Sequence, residues 1–107
     1  MPILEAMACG LPVIATNWSS QTDFFNEKNG YPVDVEKLIN AEAKCPYYEG
    51  FQWAQPSEEH LMERMRYVYD HKQEARELGL IAAADARTNW TWDNSARKIL
   101  ERLKEIG

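Results

Sequence analysis

The stretch PILEAMACGLPVIAT, residues 2 to 16, constrains the fold more than any other part of the chain. Pro2 suits the first position of a helix, where a missing N–H costs nothing, and Gly10 suits the left-handed residue that ends one. Barely two turns separate them. Leu11 to Ala15 is then apolar and β-branched at Val13 and Ile14, which predicts a strand buried on both faces. A helix, a glycine stop and a buried strand form the second half of an α/β repeat, so the expected class is α/β with few parallel strands.

The remainder divides into a loop-rich portion and a helical one. NWSSQTDFFNEKNG reads as a polar loop ending in the Asn29-Gly30 turn signal, with a short helix around Thr22 to Glu27. YPVDV, residues 31 to 35, predicts a second strand, at an edge because of Pro32. From Glu36 to Gln55 aromatic residues mix with turn formers, and a long excursion with little regular structure is expected. Ser57 then caps a helix carrying Leu61, Met65 and Val68 on one face, with Met62 and Tyr69 beside them. Asp70 with Gln73 is the expected capping pair of a second helix, whose Ala75, Leu78, Ala82 and Ala86 make a narrow stripe that Gly79 weakens slightly. Thr91 caps a third, with Trp92, Ala96, Ile99, Leu103 and Ile106 at spacings of four and three. One domain over residues 1–107 follows, with the strands and the aromatic excursion in 1–56 and three helices in 57–107.

Composition narrows the partners. A net charge of −5 without a basic stripe disfavours nucleic acid. Cys9 and Cys45 are too few and too far apart for a disulfide framework or a zinc knuckle, and read as free thiols of a reducing compartment. No apolar run approaches transmembrane length, and Glu5 interrupts the start with no basic region ahead of it, so a cytoplasmic, soluble chain without a signal peptide is expected. His60 and His71 stand on helix surfaces at no ligating spacing and read as structural, and no metal cluster is predicted.

Ligands of open parallel sheets bind beyond the carboxyl ends of the strands, and the loop with Asn17, Ser19 and Ser20 leaves the buried strand at such an end. Glu5, one turn into the first helix, can accept hydrogen bonds from vicinal hydroxyls of the kind a ribose presents. A solvated helix glutamate is the plainer alternative. The Tyr47 to Trp53 aromatics fit either a sugar-stacking platform or, more simply, an insertion packed on its own domain.

LEAMACGLPVIATNWSSQTDF, with NGYPV and the later WTWDNSARKILERL, resembles the C-terminal, donor-binding domain of retaining GT-B glycosyltransferases of the group 1 family. The resemblance runs through the whole chain and implies a partial Rossmann-like domain, the C-terminal half of that donor-binding domain. In the family a glutamate, seven residues and a second glutamate form the donor signature. The second lies in Leu-Glu-Ala-Met-Ala and matches Glu5, which implies that Glu5 holds the ribose hydroxyls of a nucleotide diphosphate sugar. Pro2 has no N–H to offer a phosphate, so that contact falls to its neighbours, and Ile3 and Leu4 join Glu5 as donor-binding candidates. Asn17, Ser19 and Ser20 are candidates for the donor-pocket loop, where the family commonly has Ser-Gly or Gly-Gly. Trp90 and Trp92 match the pattern that anchors the family's final helix, which runs back toward the other domain.

The first glutamate, the glycine loop, the phosphate-facing basic residues and the acceptor-binding N-terminal domain would then lie ahead of Met1, which implies a fragment inactive alone. The implied reaction is sugar transfer from the nucleotide diphosphate sugar to an acceptor hydroxyl with retention of configuration, with no metal and no cofactor. A non-catalytic binding or interaction module that keeps the fold is the competing reading. An epimerase of the same fold fits the Leu4 to Ile14 run less well. Truncation also predicts self-association, by strand pairing or through the terminal helix.

Overall fold

A computed structural model describes residues 2–41, 47 and 49–107. Helix α1 spans Pro2–Ala8 and ends as its glycine predicts: Gly10 has φ +79°. The Gly10 N–H donates to the Met7 carbonyl at 2.9 Å and the Leu11 N–H to the Ala6 carbonyl at 3.2 Å, the paired bonds of a Schellman cap.

The strand that follows is shorter and less buried than the apolar run suggests. β1 covers only Ile14–Thr16, all half-buried, and Leu11 is 56% exposed. The cap is the reason: it consumes the Leu11 N–H, and Pro12 has none, so the first ladder group is the Val13 carbonyl, which accepts from Tyr31 N–H at 2.9 Å. β2, Tyr31–Val33, lies parallel to β1 with Ile14 opposite Tyr31 and Thr16 opposite Val33. Pro32 sits in an edge strand of this pair, and its carbonyl accepts from Arg64 Nε at 3.1 Å.

Between β1 and β2 the helical turn lies earlier than expected, a 3-10 segment at Ser19–Asp23 rather than a helix at Thr22 to Glu27. Two asparagines stop it from extending. Asn29 Oδ1 accepts from Asn26 N–H at 2.8 Å, Asn26 Oδ1 accepts from Lys28 N–H at 2.8 Å, and Asn29 Nδ2 donates to the Phe24 carbonyl at 2.8 Å. Side chains that bond the local backbone in this way compete with helix. The turn presses Phe24 and Phe25 inward, where they join Met7, Val13, Ala82 and Ala86 in the core.

The excursion from Glu36 onward has regular structure at both of its ends. β3, Val35–Asn40, and β4, Gln52–Pro56, form an antiparallel hairpin with a bulge between Val35 and Lys37. Cross-strand pairing of Ile39 with Trp53 and Leu38 with Ala54 supplies a ladder that the turn formers in the sequence obscured. Tyr47 is 84% exposed, and Phe51 and Trp53 are exposed as well, so these aromatics do not pack on the domain as the simpler expectation had it. Tyr48 lies outside the described residues.

Helix α2, Glu58–Asp70, has Ser57 as its cap, with His60 N–H donating to Ser57 Oγ at 3.2 Å. Its inward side is Leu61, Arg64 and Val68; Met65, placed there by the periodicity, is exposed. Helix α3, Lys72–Asn89, follows with only His71 between. Asp70 does not cap it, because that residue is still in α2, and Gln73 Nε2 instead donates to Glu77 Oε1 at 3.4 Å. The small-residue stripe is present: Ala75, Gly79, Ala82 and Ala86 are buried, with Leu78 half-buried. Helix α4, Trp92–Ile106, has Thr91 Oγ1 accepting from Asn94 N–H at 3.2 Å and contains no buried residue. Of the two tryptophans expected to anchor it, Trp90 packs edge-on against Phe24 at 5.8 Å, while Trp92 is 91% exposed.

These elements make a mixed α/β, partial Rossmann-like fold. Its Cα radius of gyration is 16.9 Å, against about 13 Å for a compact chain of this length. The excess reflects elements that bury little, the hairpin and α4.

Candidate functional site

Glu5 is placed by the packing of α1. Met7 is fully buried, and Ile3, Leu4, Ala6 and Ala8 border the core. Those anchors fix the helix's orientation and leave Glu5 on its exposed side. The Ile3 and Leu4 side chains are therefore packing groups. What they offer a ligand is main chain, because amides of a first helical turn have no intrahelical acceptor.

Two contacts from α3 fix α1 further. A Cβ built on Gly79 would fall 2.3 Å from the Gly10 carbonyl oxygen, so α3 crosses the Schellman cap at backbone contact. One face further along α3, Arg87 Nε donates to the Ala8 carbonyl at 2.9 Å, satisfying one of the acceptors at the end of α1. Sequence reasoning treated Gly79 as a mild defect and did not use Arg87. A glycine inside a stripe of alanines was the available signal for the first; nothing in the sequence pointed to the second.

The loop beyond β1 begins by extending the ladder, with Asn17 N–H donating to the Val33 carbonyl at 2.9 Å. It then turns back: Trp18 N–H donates to the Thr16 carbonyl at 2.9 Å, and Gln21 Nε2 donates to the same oxygen. Ser19 has φ +63°, the left-handed region that favours glycine, and its carbonyl accepts from Thr22 Oγ1 at 2.7 Å. Asn17, Ser19 and Ser20 are all exposed. Ile3 and Leu4 of α1 and Ala15 of β1 border one core cluster, so a single packed body carries both Glu5 and this loop.

The remaining polar groups are structural in their contacts. His60 Nδ1 accepts from Asp34 N–H at 2.8 Å, tying α2 to the β2–β3 junction, and His71 stacks on Tyr67 with ring centroids 4.0 Å apart. Tyr67 donates to Glu74 Oε2 at 2.6 Å, and that bond, with some desolvation, pushes its phenol pKa up. Burial raises the pKa of Tyr31, whose hydroxyl is buried without a hydrogen-bond partner among the described residues, and the Glu74 carboxylate adds to the shift. Cys9 is a free, exposed thiol, and Cys45 lies outside the described residues. Among the described residues no group of three or more His, Cys, Asp or Glu side chains is gathered to hold a metal ion, and no helix is long and apolar enough to cross a membrane. An open groove along α2, between Met62, Met65, Arg66 and Tyr69, is lined by none of the sequence-predicted site residues.

Residues 1–101 match the family described as glycosyl transferase-like, which is nearly the whole chain. No curated protein and no solved structure matches it. The match takes in α1 with its exposed Glu5, the Ser19 loop, the hairpin and all but the last turns of α4. The chain therefore belongs to the glycosyl transferase-like family.

Proposed function

We propose that this chain supplies the nucleotide-holding side of a retaining transferase that moves a sugar from a nucleotide diphosphate sugar to an acceptor hydroxyl. The observation that carries the reading is Glu5: a carboxylate on the exposed side of a short helix whose other residues are packed into the core. A carboxylate at such a position has the acceptor capacity to take a hydrogen bond from each hydroxyl of a cis-diol. The first-turn amides of Ile3 and Leu4 and the Asn17, Ser19 and Ser20 loop are the adjoining groups that would face the diphosphate and sugar.

In the reaction the acceptor hydroxyl attacks the anomeric carbon on the face from which the diphosphate departs. The bond to the leaving diphosphate breaks, and the hydroxyl proton passes to its oxygen. Glu5 takes no part in the bond changes and acts by positioning the nucleoside.

Calorimetric titration with uridine, guanosine and adenosine diphosphates tests the proposal. One of them should bind, and Glu5→Ala should weaken it by about 10- to 100-fold, the equivalent of about 1.5–3 kcal/mol for hydrogen bonds to a charged group. Failure of all three to bind, or equal affinity in the variant, would overturn the assignment of Glu5. The exposed apolar stripe of α4 gives the interaction-module reading its own footing, and it concerns a different surface.

A further inference from the structure

The inference concerns the β3–β4 hairpin and does not depend on the nucleotide reading. Only Asp34 separates the end of β2 from the start of β3, and its carbonyl accepts from Ser57 N–H at 2.8 Å, which closes the root of the hairpin. Because β1 and β2 are parallel with Thr16 opposite Val33, that root stands at the same end of the pair as the loop beginning at Asn17. This is the carboxyl end, beyond which open parallel sheets take their ligands.

Residues directly opposite in an antiparallel ladder share a face. Ile39 pairs with Trp53 and Lys37 with Gln55, and Phe51, two residues before Trp53, falls on the same face. Phe51 is 65% exposed and Trp53 41%. They stand about 7 Å apart along β4. One face of the strand therefore runs aromatic, aromatic, amide, with the Lys37 ammonium across from the amide. A dry protein contact over this face would strand both polar groups.

We propose that this face binds a neutral saccharide. A pyranose ring has polarised C–H bonds on its flat sides, which suit the negative face of an aromatic ring, and hydroxyls around its rim. Each hydroxyl both donates and accepts. The Gln55 amide supplies two donors and an acceptor and Lys37 three donors, at the end of the aromatic strip where the rim of a stacked ring falls. Ile39, half-buried and directly across from Trp53, forms with it the aromatic and β-branched pair that steadies a ladder. Glycosyl transfer, the chemistry of the family, puts saccharides among the molecules this chain meets.

Titration of the labelled chain with malto-, cello-, manno- and N-acetylchito-pentaose, followed by amide and indole N–H shifts, tests the platform. At least one should move the Trp53 indole together with the Phe51 and Gln55 amides. Trp53→Ala should weaken that binding by about tenfold or more, and Gln55→Ala by about 2- to 10-fold. Trp53→Phe keeps an aromatic face and should retain much of the affinity. Trp53→Leu keeps an apolar side chain in the strand but should bind as weakly as the alanine variant, which separates loss of stacking from loss of the hairpin. Trp92→Ala, at the exposed tryptophan of α4, should change nothing. Glu5→Ala should also leave saccharide binding unchanged, so the platform and the nucleotide site stand or fall separately. Failure of all four pentaoses to move Trp53, shifts confined to the loop after β1, or a leucine variant that binds as well as the parent would overturn the proposal.

Discussion

Gly79→Ala adds one methyl group at the point where α3 crosses the end of α1, and two effects of opposite sign compete there. Helix propensity alone favours alanine by about 1 kcal/mol in a helix interior. Against it, the new Cβ would lie 2.3 Å from the Gly10 carbonyl oxygen, 3.0 Å from the Gly10 carbonyl carbon and 3.2 Å from that of Leu11, where 3.4–4 Å is ordinary contact. All three atoms are backbone, so no side chain can swing aside. Gly10 is itself fixed by φ +79° and by the two bonds of its cap. The relief left is for α3 to lift away, which loosens Ala82 and Ala86 against the core. Overpacking of this kind costs about 1–3 kcal/mol, and contact this close belongs at the upper end. The net expectation is destabilisation of about 2 kcal/mol after the propensity gain is subtracted. Urea unfolding followed by circular dichroism measures it, with Ala84→Gly at an exposed position of α3 as the reference for intrinsic propensity. If Gly79→Ala instead raised stability by the amount that Ala84→Gly lowers it, the close approach of α3 to the Gly10 cap would be refuted.

Three other outcomes can be stated from local geometry. Tyr31→Phe removes a buried hydroxyl that has no partner among the described residues and should stabilise the fold by about 1 kcal/mol in urea unfolding; a loss would show that the hydroxyl is satisfied. Burial holds Tyr31 protonated in the folded chain above its ordinary value of 10.0, so the unfolded chain loses that proton first, and stability should be level below that pH and fall above it, less steeply in Tyr31→Phe. Ser19→Gly relieves a left-handed serine and should raise the urea midpoint by up to about 1 kcal/mol equivalent, whereas a lower midpoint would mean that φ +63° is not strained. Arg87→Met keeps the aliphatic stem but removes the 2.9 Å bond to Ala8, and about 1 kcal/mol should be lost on urea unfolding, with no change counting against the clamp on α1.

The parts legible in the sequence were those set by local chemistry. Gly10 ended α1, Ser57 and Thr91 capped their helices, and the Ala75, Ala82 and Ala86 stripe was buried because small residues at helical spacing have no other use in a close-packed helix. The misplaced elements were decided by partners distant in sequence or by competition among nearby polar groups. The β3–β4 hairpin exists through pairing of Ile39 with Trp53 across an intervening run of turn formers, and Asn26 and Asn29 cut short the helix that Thr22 to Glu27 suggests. Helical periodicity located the apolar face of α4 correctly but said nothing of whether this chain covers it. For the candidate site, Glu5 was legible as an exposed carboxylate early in a packed helix. The clamp on that helix, Gly79 on Gly10 and Arg87 on Ala8, is a tertiary arrangement that spacing along the chain does not encode.

The central claim, that α1 presents Glu5 to a nucleotide beside the loop after β1, is tested most directly by amide chemical shifts. Titrating the labelled chain with the diphosphate that binds should perturb Ile3, Leu4 and Glu5 together with Asn17, Ser19 and Ser20, and in Glu5→Gln the same amides should move only at higher diphosphate concentrations. Perturbations confined to the hairpin or to the groove along α2, with α1 silent, would contradict it.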